Sequence, residues 1–302
     1  MRTAPFFDIH LHSNYSSDGE WTVERLFAEA EKLGMIALGI SDHDTLSALQ
    51  HRVQMERSFP SVEWIPNVEI SSGHRGQELH LLSPFVDPEA PRLHKLLKRV
   101  HELRDEQARG RMNRLRAAGI EVTEEEVRKT CGDLPLTGPA IARTVLEKYH
   151  KNPLPILLPY VEGAKKAKAE GNFYKDFFSR GKPAHVPKME LAADEAIATV
   201  RAVGGVPVLA HPGARFTRVD GTFIAELREI GLEGLEVWTS YHDAAQSEYY
   251  LKIAQSLGLI ATAGSDFHGR AKPDVLFGSI RQGTPQILAE LRGRTDAVGS
   301  SR

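Results

Sequence analysis

The stretch PFFDIHLH at 5–12 alternates strictly, with Asp8, His10 and His12 on one face and Phe7, Ile9 and Leu11 on the other. A strand does this through its side-chain period of two. Working outward, the pattern predicts a helix over 22–33, with Thr22 as N-cap. Val23, Leu26, Phe27, Ala30 and Leu33 form its apolar stripe, and Gly34 is the C-cap. A strand over 35–41, a helix near 45–58 and strands over 63–71 and 78–86 follow. Gly73 and Gly76 point to a tight loop between the last two. After 190 the alternation returns, with helices over 192–203, 222–230, 243–257 and 284–293 and strands over 206–211, 234–239 and 259–265. Repeated strand–helix units argue for an α/β architecture around a parallel sheet. Seven strands with polar residues gathered at their C-terminal ends favour a barrel, where chemistry collects on that face.

Between these two blocks the character changes. Residues 91–118 read as a long arginine-rich helix, with shorter helices over 123–131, 138–150 and 173–180. The expected organisation is a barrel from 1–87 and 191–302 with a helical insertion, a cap, at 88–190.

The bulk numbers exclude several classes. With 302 residues the chain can bury a large core without staples, and a formal net charge of -2 gives no global field for nucleic acid. Cys131 is the one cysteine, which rules out an intrachain disulfide and suits a reducing compartment. Asp8 and His10 interrupt the first apolar stretch, so no signal sequence is expected, and no apolar run approaches the ~20 residues of a spanning helix. The expected setting is the cytoplasm, away from membranes and with no protein partner.

Chemistry concentrates near the strand ends: DIHLHS at 8–13, Asp18, SDHD at 41–44, VEIS at 68–71, ELHLL at 78–82, LAHPG at 209–213 and GSDFHG at 264–269. Imidazole and carboxylate together suit Zn²⁺, Mn²⁺ and Fe²⁺. Buried histidines and carboxylates cost free energy unless they are paired or bound to metal. So many candidate ligands could hold more than one ion.

The run from His10 and His12 through Ser41-Asp42-His43-Asp44, Glu69, His80, Ala210-His211-Pro212 and Gly264–Gly269 resembles the PHP (polymerase and histidinol phosphatase) family. The resemblance covers residue 8 to about 280. It implies a distorted seven-stranded β/α barrel, TIM-like, and two or three divalent cations (Mn²⁺, Fe²⁺ or Zn²⁺) shared among nine ligands. His10, His12, Glu69 and Asp266 would hold the first. Glu69 would bridge to a second held by His80 and His211, and Asp18, His43 and His268 would hold the third.

A phosphoesterase mechanism follows from that resemblance. A hydroxide between two such cations is a nucleophile at neutral pH and would attack phosphorus in line with the leaving oxygen. By that resemblance Glu69 and Asp266 would be essential to this chemistry. His242, in SYHD, is the best further candidate for a hydrogen bond to the phosphoryl group or a proton to the leaving oxygen.

Within the family the chain is similar to members that include 3′,5′-nucleoside bisphosphate phosphatases, a 5′-3′ exoribonuclease and a cyclic-phosphate dihydrolase. These carry an Arg-Pro-His run where this chain has Gly138-Pro139-Ala140, which removes two groups expected to face a second phosphate. Arg143, Arg215, Lys182 and His185 are the cations that could compensate. The expected substrate is a phosphorylated small molecule, a nucleotide or a short oligoribonucleotide. The basic stretch 92–116 is read as a solvated helix rather than a nucleic-acid track, because acidic residues interrupt it and aromatics do not. The rival readings are a metal-dependent amidohydrolase or deaminase and a non-catalytic, metal-stabilised nucleotide-binding module.

Overall fold

A computed structural model describes residues 4–16, 18–132, 136–187 and 190–299. The chain divides into two compact units, Met1–Leu97 with Leu191–Arg302, and Lys98–Glu190.

In the first unit the chain runs β1 (Phe6–Leu11), α1 (Val23–Leu33), β2 (Met35–Ile40), α2 (Arg52–Ser58), β3 (Glu63–Trp64), β4 (Glu69–His74) and β5 (Gln77–Leu82). Thr22 caps α1 by accepting from the Arg25 N–H, and Gly34 ends it at φ 72°, a left-handed conformation that glycine adopts without strain. The helix α3 (Pro91–Ala117) contains the boundary between the units. The second unit then holds α4 (Glu124–Cys131), α5 (Gly138–Lys148), α6 (Leu158–Val161) and α7 (Ala169–Phe177). The first unit resumes with α8 (Ala193–Ala202), β6 (Val208–Leu209), α9 (Gly221–Glu229), β7 (Gly234–Trp238), α10 (Ala244–Leu257), β8 (Ile260–Ala263) and α11 (Pro285–Gly299).

The expected seven-stranded β/α barrel is overturned. Among the described residues eight strands form two sheets, a parallel β1-β2-β3 and a mixed β4-β5-β6-β7-β8, with no closed barrel. Two local features account for the difference. The strand expected over 63–71 is broken at Pro66, which has no N–H to give a ladder, so β3 and β4 end in different sheets. Then β4 and β5 pair antiparallel from Glu69–Leu82 to His74–Gln77, closed by Arg75 and Gly76 at φ 52° and 78°. A two-residue turn has no room for the crossover of a dozen or more residues that parallel neighbours need. The strand β5 also meets β6 antiparallel, and parallel pairing returns only through β6, β7 and β8.

Between the sheets stand isolated bridges at Leu11–Phe267 and His43–Glu69. Buried Asn67 stitches the break after β3. It donates to the Ile9 carbonyl at 2.6 Å and accepts from the Val68 and Ser83 N–H groups at 2.9 and 2.8 Å. The core of this unit lies on both sides of β1. Phe6, Leu11, Leu26, Phe27 and Trp64 pack in one cluster, and Phe7, Ile9, Val208, Ala210 and Leu291 in another. Burial of such side chains contributes roughly 1.5–3 kcal/mol each.

The second unit has its own core, with Leu115, Ile141, Val145, Phe173 and Phe177 among its members. Lys98 pairs with Glu102 one turn on along α3 at 3.9 Å, while Arg109 and Arg116 reach Glu124 and Glu121 beyond the helix at 2.9 and 3.2 Å. No helix is long and apolar enough to cross a membrane among the described residues.

Candidate metal centre

The alternation of β1 places His10 and His12 on one face, where both rings are fully buried. Glu69, the first residue of β4, is buried between five imidazoles. His80 Nδ1, His211 Nε2 and His10 Nε2 lie 2.9, 3.2 and 3.4 Å from its Oε1. His12 Nε2 and His43 Nδ1 each lie 3.1 Å from its Oε2. Asp266 Oδ1 faces His10 and His12 Nε2 at 3.1 and 3.2 Å. Asp18 Oδ2 faces His268 and His43 Nε2 at 3.3 and 3.6 Å.

These atoms fall into three overlapping groups able to surround a cation: His10, His12, Glu69 and Asp266; His43, Glu69 and His80; and His12, Asp18, His43 and His268. The donor chemistry fits a divalent ion in one further respect. His10, His12 and His268 Nε2, His43 and His80 Nδ1 and Glu69 Oε2 are buried with no hydrogen-bond partner. Orphaned lone pairs in a dry cluster are costly unless a cation takes them.

Outer partners fix which nitrogen points inward. His10 Nδ1–H donates to Glu236 Oε1 at 2.9 Å, and His268 Nδ1–H to the Asp266 carbonyl at 2.8 Å. Ser16 Oγ and Thr217 Oγ1 sit 3.4 and 3.2 Å from Nδ1 of His12 and His211. In each of these four rings Nε2 is left for the cluster, the arrangement that orients metal-binding histidines. Two of the carriers are held in a backbone conformation rare for non-glycine residues, His211 at φ 30° and Asp266 at φ 58°.

Electrostatics match. Burial alone would raise the Glu69 carboxyl, but the charges of His43, His80 and His10 hold it well below the usual carboxylate range. Burial is likewise outweighed at Asp266, where His10, His12 and Lys272 hold the carboxyl well down. Burial pushes His211 below the ordinary imidazole value, favouring the neutral ring that can act as a ligand.

Residues 8–133 match the family model of the PHP domain. The chain thus carries a PHP-domain match over part of its length. It is 28% identical over 271 residues to the 5′-3′ exoribonuclease Rnm of Escherichia coli, covering 88% of this chain and 86% of that one. It is 29% identical to a phosphoribosyl 1,2-cyclic phosphate 1,2-diphosphodiesterase of Eggerthella lenta, covering 87% and 94%. With a 3′,5′-nucleoside bisphosphate phosphatase of Chromobacterium violaceum the identity is 27%, covering 86% of each. Among solved structures, one from Bifidobacterium adolescentis shares the fold at TM-score 0.76 and 24% identity, covering 97% of this chain and 98% of that one. A second, from Chromobacterium violaceum, is described as an amidohydrolase with bound sulfate and matches at TM-score 0.71 and 26% identity, covering 95% and 96%. The named relatives share one chemistry, the cleavage of phosphoric esters.

All nine residues named as ligands stand in this one cluster. Its groupings differ in detail from those expected, since His12 also joins Asp18 and His43 also joins Glu69 and His80, while His211 reaches Glu69 without appearing in a group. The further candidates scatter. Arg215 is exposed on the turn after His211. In the helical unit, Arg143 is paired with Glu170 at 3.2 Å, Lys182 is exposed, and His185 Nδ1–H donates to the Phe178 carbonyl at 3.0 Å.

His242 departs from expectation. Its Nδ1–H donates to the Val237 carbonyl at 2.8 Å, and its Nε2 accepts the Gly213 N–H at 2.9 Å. Burial lowers its pKa, so the ring is neutral with both nitrogens committed to backbone. Proton donation from this ring would require breaking the turn it holds.

Four residues near the centre escape a reading of the sequence. Glu236 holds His10 and also accepts the His211 N–H at 2.7 Å. Tyr241 and Lys272 donate to Asp266 Oδ2 at 2.5 and 2.6 Å. The ring of Phe216, 52% exposed, stands 4.9 Å from His211, 6.4 Å from His80 and 5.5 Å from Tyr241 between centroids. Only Glu236 carries a signal that could have found it, a lone charge inside the apolar strand GLEVW.

Proposed function

We propose that this protein hydrolyses a phosphate ester of a nucleotide or a short oligoribonucleotide, with two or three divalent ions (Mn²⁺, Fe²⁺ or Zn²⁺) held by the cluster around Glu69. The observation that carries this reading is the convergence of five imidazoles on one buried carboxylate, with Asp266 and Asp18 completing the groups. His10, His12, Glu69 and Asp266 would hold one ion. Glu69, His80 and His211, joined by His43, would hold another, and Asp18, His43 and His268 a third. When bound, such ions supply Lewis acidity toward a phosphoryl oxygen and an activated water.

The chain's own residues supply orientation. Glu236 fixes the His10 tautomer and ring plane. Tyr241 and Lys272 occupy the outer oxygen of Asp266, leaving its inner oxygen toward His10 and His12. Burial and the Asp266 carboxylate push the Tyr241 phenol above its ordinary range, so it stays protonated and donating. Phe216 offers an exposed ring beside His211 and His80, suited to stack on a nucleobase. Arg215, next to it and without an ion pair among the described residues, suits a phosphate oxygen.

The deciding experiment measures phosphate release by Mn²⁺-loaded protein from adenosine 3′,5′-bisphosphate, 5′-AMP, histidinol phosphate and a 5′-phosphorylated oligoribonucleotide, the last also scored for nucleotide release. Preference for the bisphosphate or the oligonucleotide supports the nucleotide reading. Turnover of histidinol phosphate alone overturns it. An amide substrate is the control for the amidohydrolase alternative, and its hydrolysis with none of the esters cleaved would favour that chemistry.

A further inference from the structure

The segment that carries Phe216 folds back on itself. Its ends meet where the Val219 N–H donates to the Pro212 carbonyl at 2.9 Å. Inside it the Thr217 and Arg218 N–H groups both donate to the Ala214 carbonyl, at 3.0 and 2.7 Å. A loop closed at its base and bonded within itself is a compact element of the kind that often carries function. Its tip exposes Arg215, Phe216 and Arg218, whereas Thr217 turns inward, 2% exposed, with Oγ1 3.2 Å from His211 Nδ1. The Phe216 ring stands over the centre, 4.9 Å from His211 and 6.4 Å from His80 between centroids.

Helix α10 grips the base of this loop. Tyr250, 4% exposed, directs its hydroxyl at the Pro212 and Val219 carbonyls, 3.0 Å from each. One O–H proton is therefore shared between the two ends of the loop. Burial pushes the phenol up to about 12, so it remains a donor at neutral pH. The His242 ring stacks on that of Tyr250 at 4.8 Å between centroids and accepts the Gly213 N–H. A Cβ at Gly213 would lie 2.6 Å from His242 Nε2 and 2.8 Å from Tyr250 Cε2, so glycine is what lets both rings come this close.

We propose that Tyr250, with His242, is a positioning residue for the substrate's base, fixing the loop Pro212–Val219 so that the Phe216 ring is set beside His211 and His80 before substrate arrives. A ring already held in place loses less freedom when a base stacks on it, which tightens binding without touching the chemical step. The role in substrate binding rests on the nucleotide reading above; the clamp itself does not.

Limited trypsin digestion of the full, Mn²⁺-loaded protein tests the clamp, with cleavage after Arg215 and Arg218 followed by mass spectrometry. The wild type is expected to resist at both bonds. Tyr250→Phe should be cut there about 2- to 10-fold faster, the worth of one lost hydrogen bond, with cleavage elsewhere unchanged. Gly213→Ala, whose methyl would drive the two rings away, should raise the rate at least as much and carries the comparison if Tyr250→Phe does not fold. Rates equal to wild type in the folded variants overturn the proposal.

Kinetics test what the clamp is for. Tyr250→Phe should raise KM for 5′-AMP about 2- to 10-fold and leave kcat within about twofold. In a Phe216→Ala background the same substitution should change KM by less than about twofold, because the ring it positions is gone. A tyrosine with a merely structural role would act equally in both backgrounds, and that result overturns the positioning role. A wild type that cleaves no nucleotide overturns the substrate reading and the base-positioning role with it, whereas the clamp stands or falls on the digestion alone.

Discussion

The Nδ1–H of His10 donates to Glu236 Oε1 at 2.9 Å, and the same Glu236, through Oε2, accepts the His211 N–H at 2.7 Å. One buried carboxylate on β7 thus sets the tautomer of a ligand on β1 and the backbone of a ligand after β6. Replacing it by glutamine keeps the shape and removes the charge. Glu236→Gln is expected to lower metal affinity about 10- to 100-fold, with activity partly restored by excess metal. Metal titration followed by activity checks this, and unaltered affinity would remove Glu236 from the site.

Glu69 touches every group but the one around Asp18 and His268. Glu69→Gln should abolish turnover and reduce bound metal, as read by elemental analysis of the purified protein. Chelation of the wild type should lower its melting temperature, because it leaves a dry cluster of unanswered lone pairs. Readdition of Mn²⁺ should restore it.

Gly264 stands where a Cβ would meet Glu236 Oε1 and His10 Cβ, each at 2.3 Å. Gly264→Ala is expected to cost about 3 kcal/mol of stability and to weaken metal binding by forcing that pair apart. Denaturant unfolding of the metal-loaded protein measures the first effect. A stability equal to wild type would show that the pair can yield.

His242 gives a pH dependence whose sign is fixed by its surroundings. Burial lowers its pKa below the free value of 6.5, so the unfolded chain takes up this proton before the folded one does. The stability it contributes is complete above 6.5 and is lost as pH falls toward the lowered folded value. Thermal melts from pH 8 to 5 should therefore fall less steeply for His242→Gln than for wild type. Parallel curves would mean that the ring has the same pKa in the folded and unfolded chains.

Phe216 separates nucleotides from simple esters. Phe216→Ala should raise KM for 5′-AMP or an oligoribonucleotide about tenfold, the worth of one base–aromatic stack, and leave KM for p-nitrophenyl phosphate within about twofold. Equal changes in both would assign Phe216 to the metal cluster rather than to the base.

The sequence by itself determined the chemistry of the centre. Period-two alternation on β1 is a backbone property, so it puts His10 and His12 on one face whatever surrounds them. The motifs then carried Asp18, His43, Glu69, His80, His211, Asp266 and His268 as candidates through their residue types and their order. Caps such as Thr22 and Gly34 were equally legible, because their hydrogen bonds reach only three or four residues away.

Tertiary structure alone decided what depends on distant partners. Pro66 and the Arg75-Gly76 turn are local signals, but that they split the strands into two sheets, one of them mixed, follows only from which strands pair. His242 reads as a proton donor until Gly213 and Val237, 29 and 5 residues away, claim its nitrogens. Arg111 reads as one of many arginines on a solvated helix. Its burial over Tyr174 and Phe178 against Gly138 is set by packing among helices far apart in the chain. Residue type fixes what a side chain can do, and long-range packing fixes which of those capacities is still open.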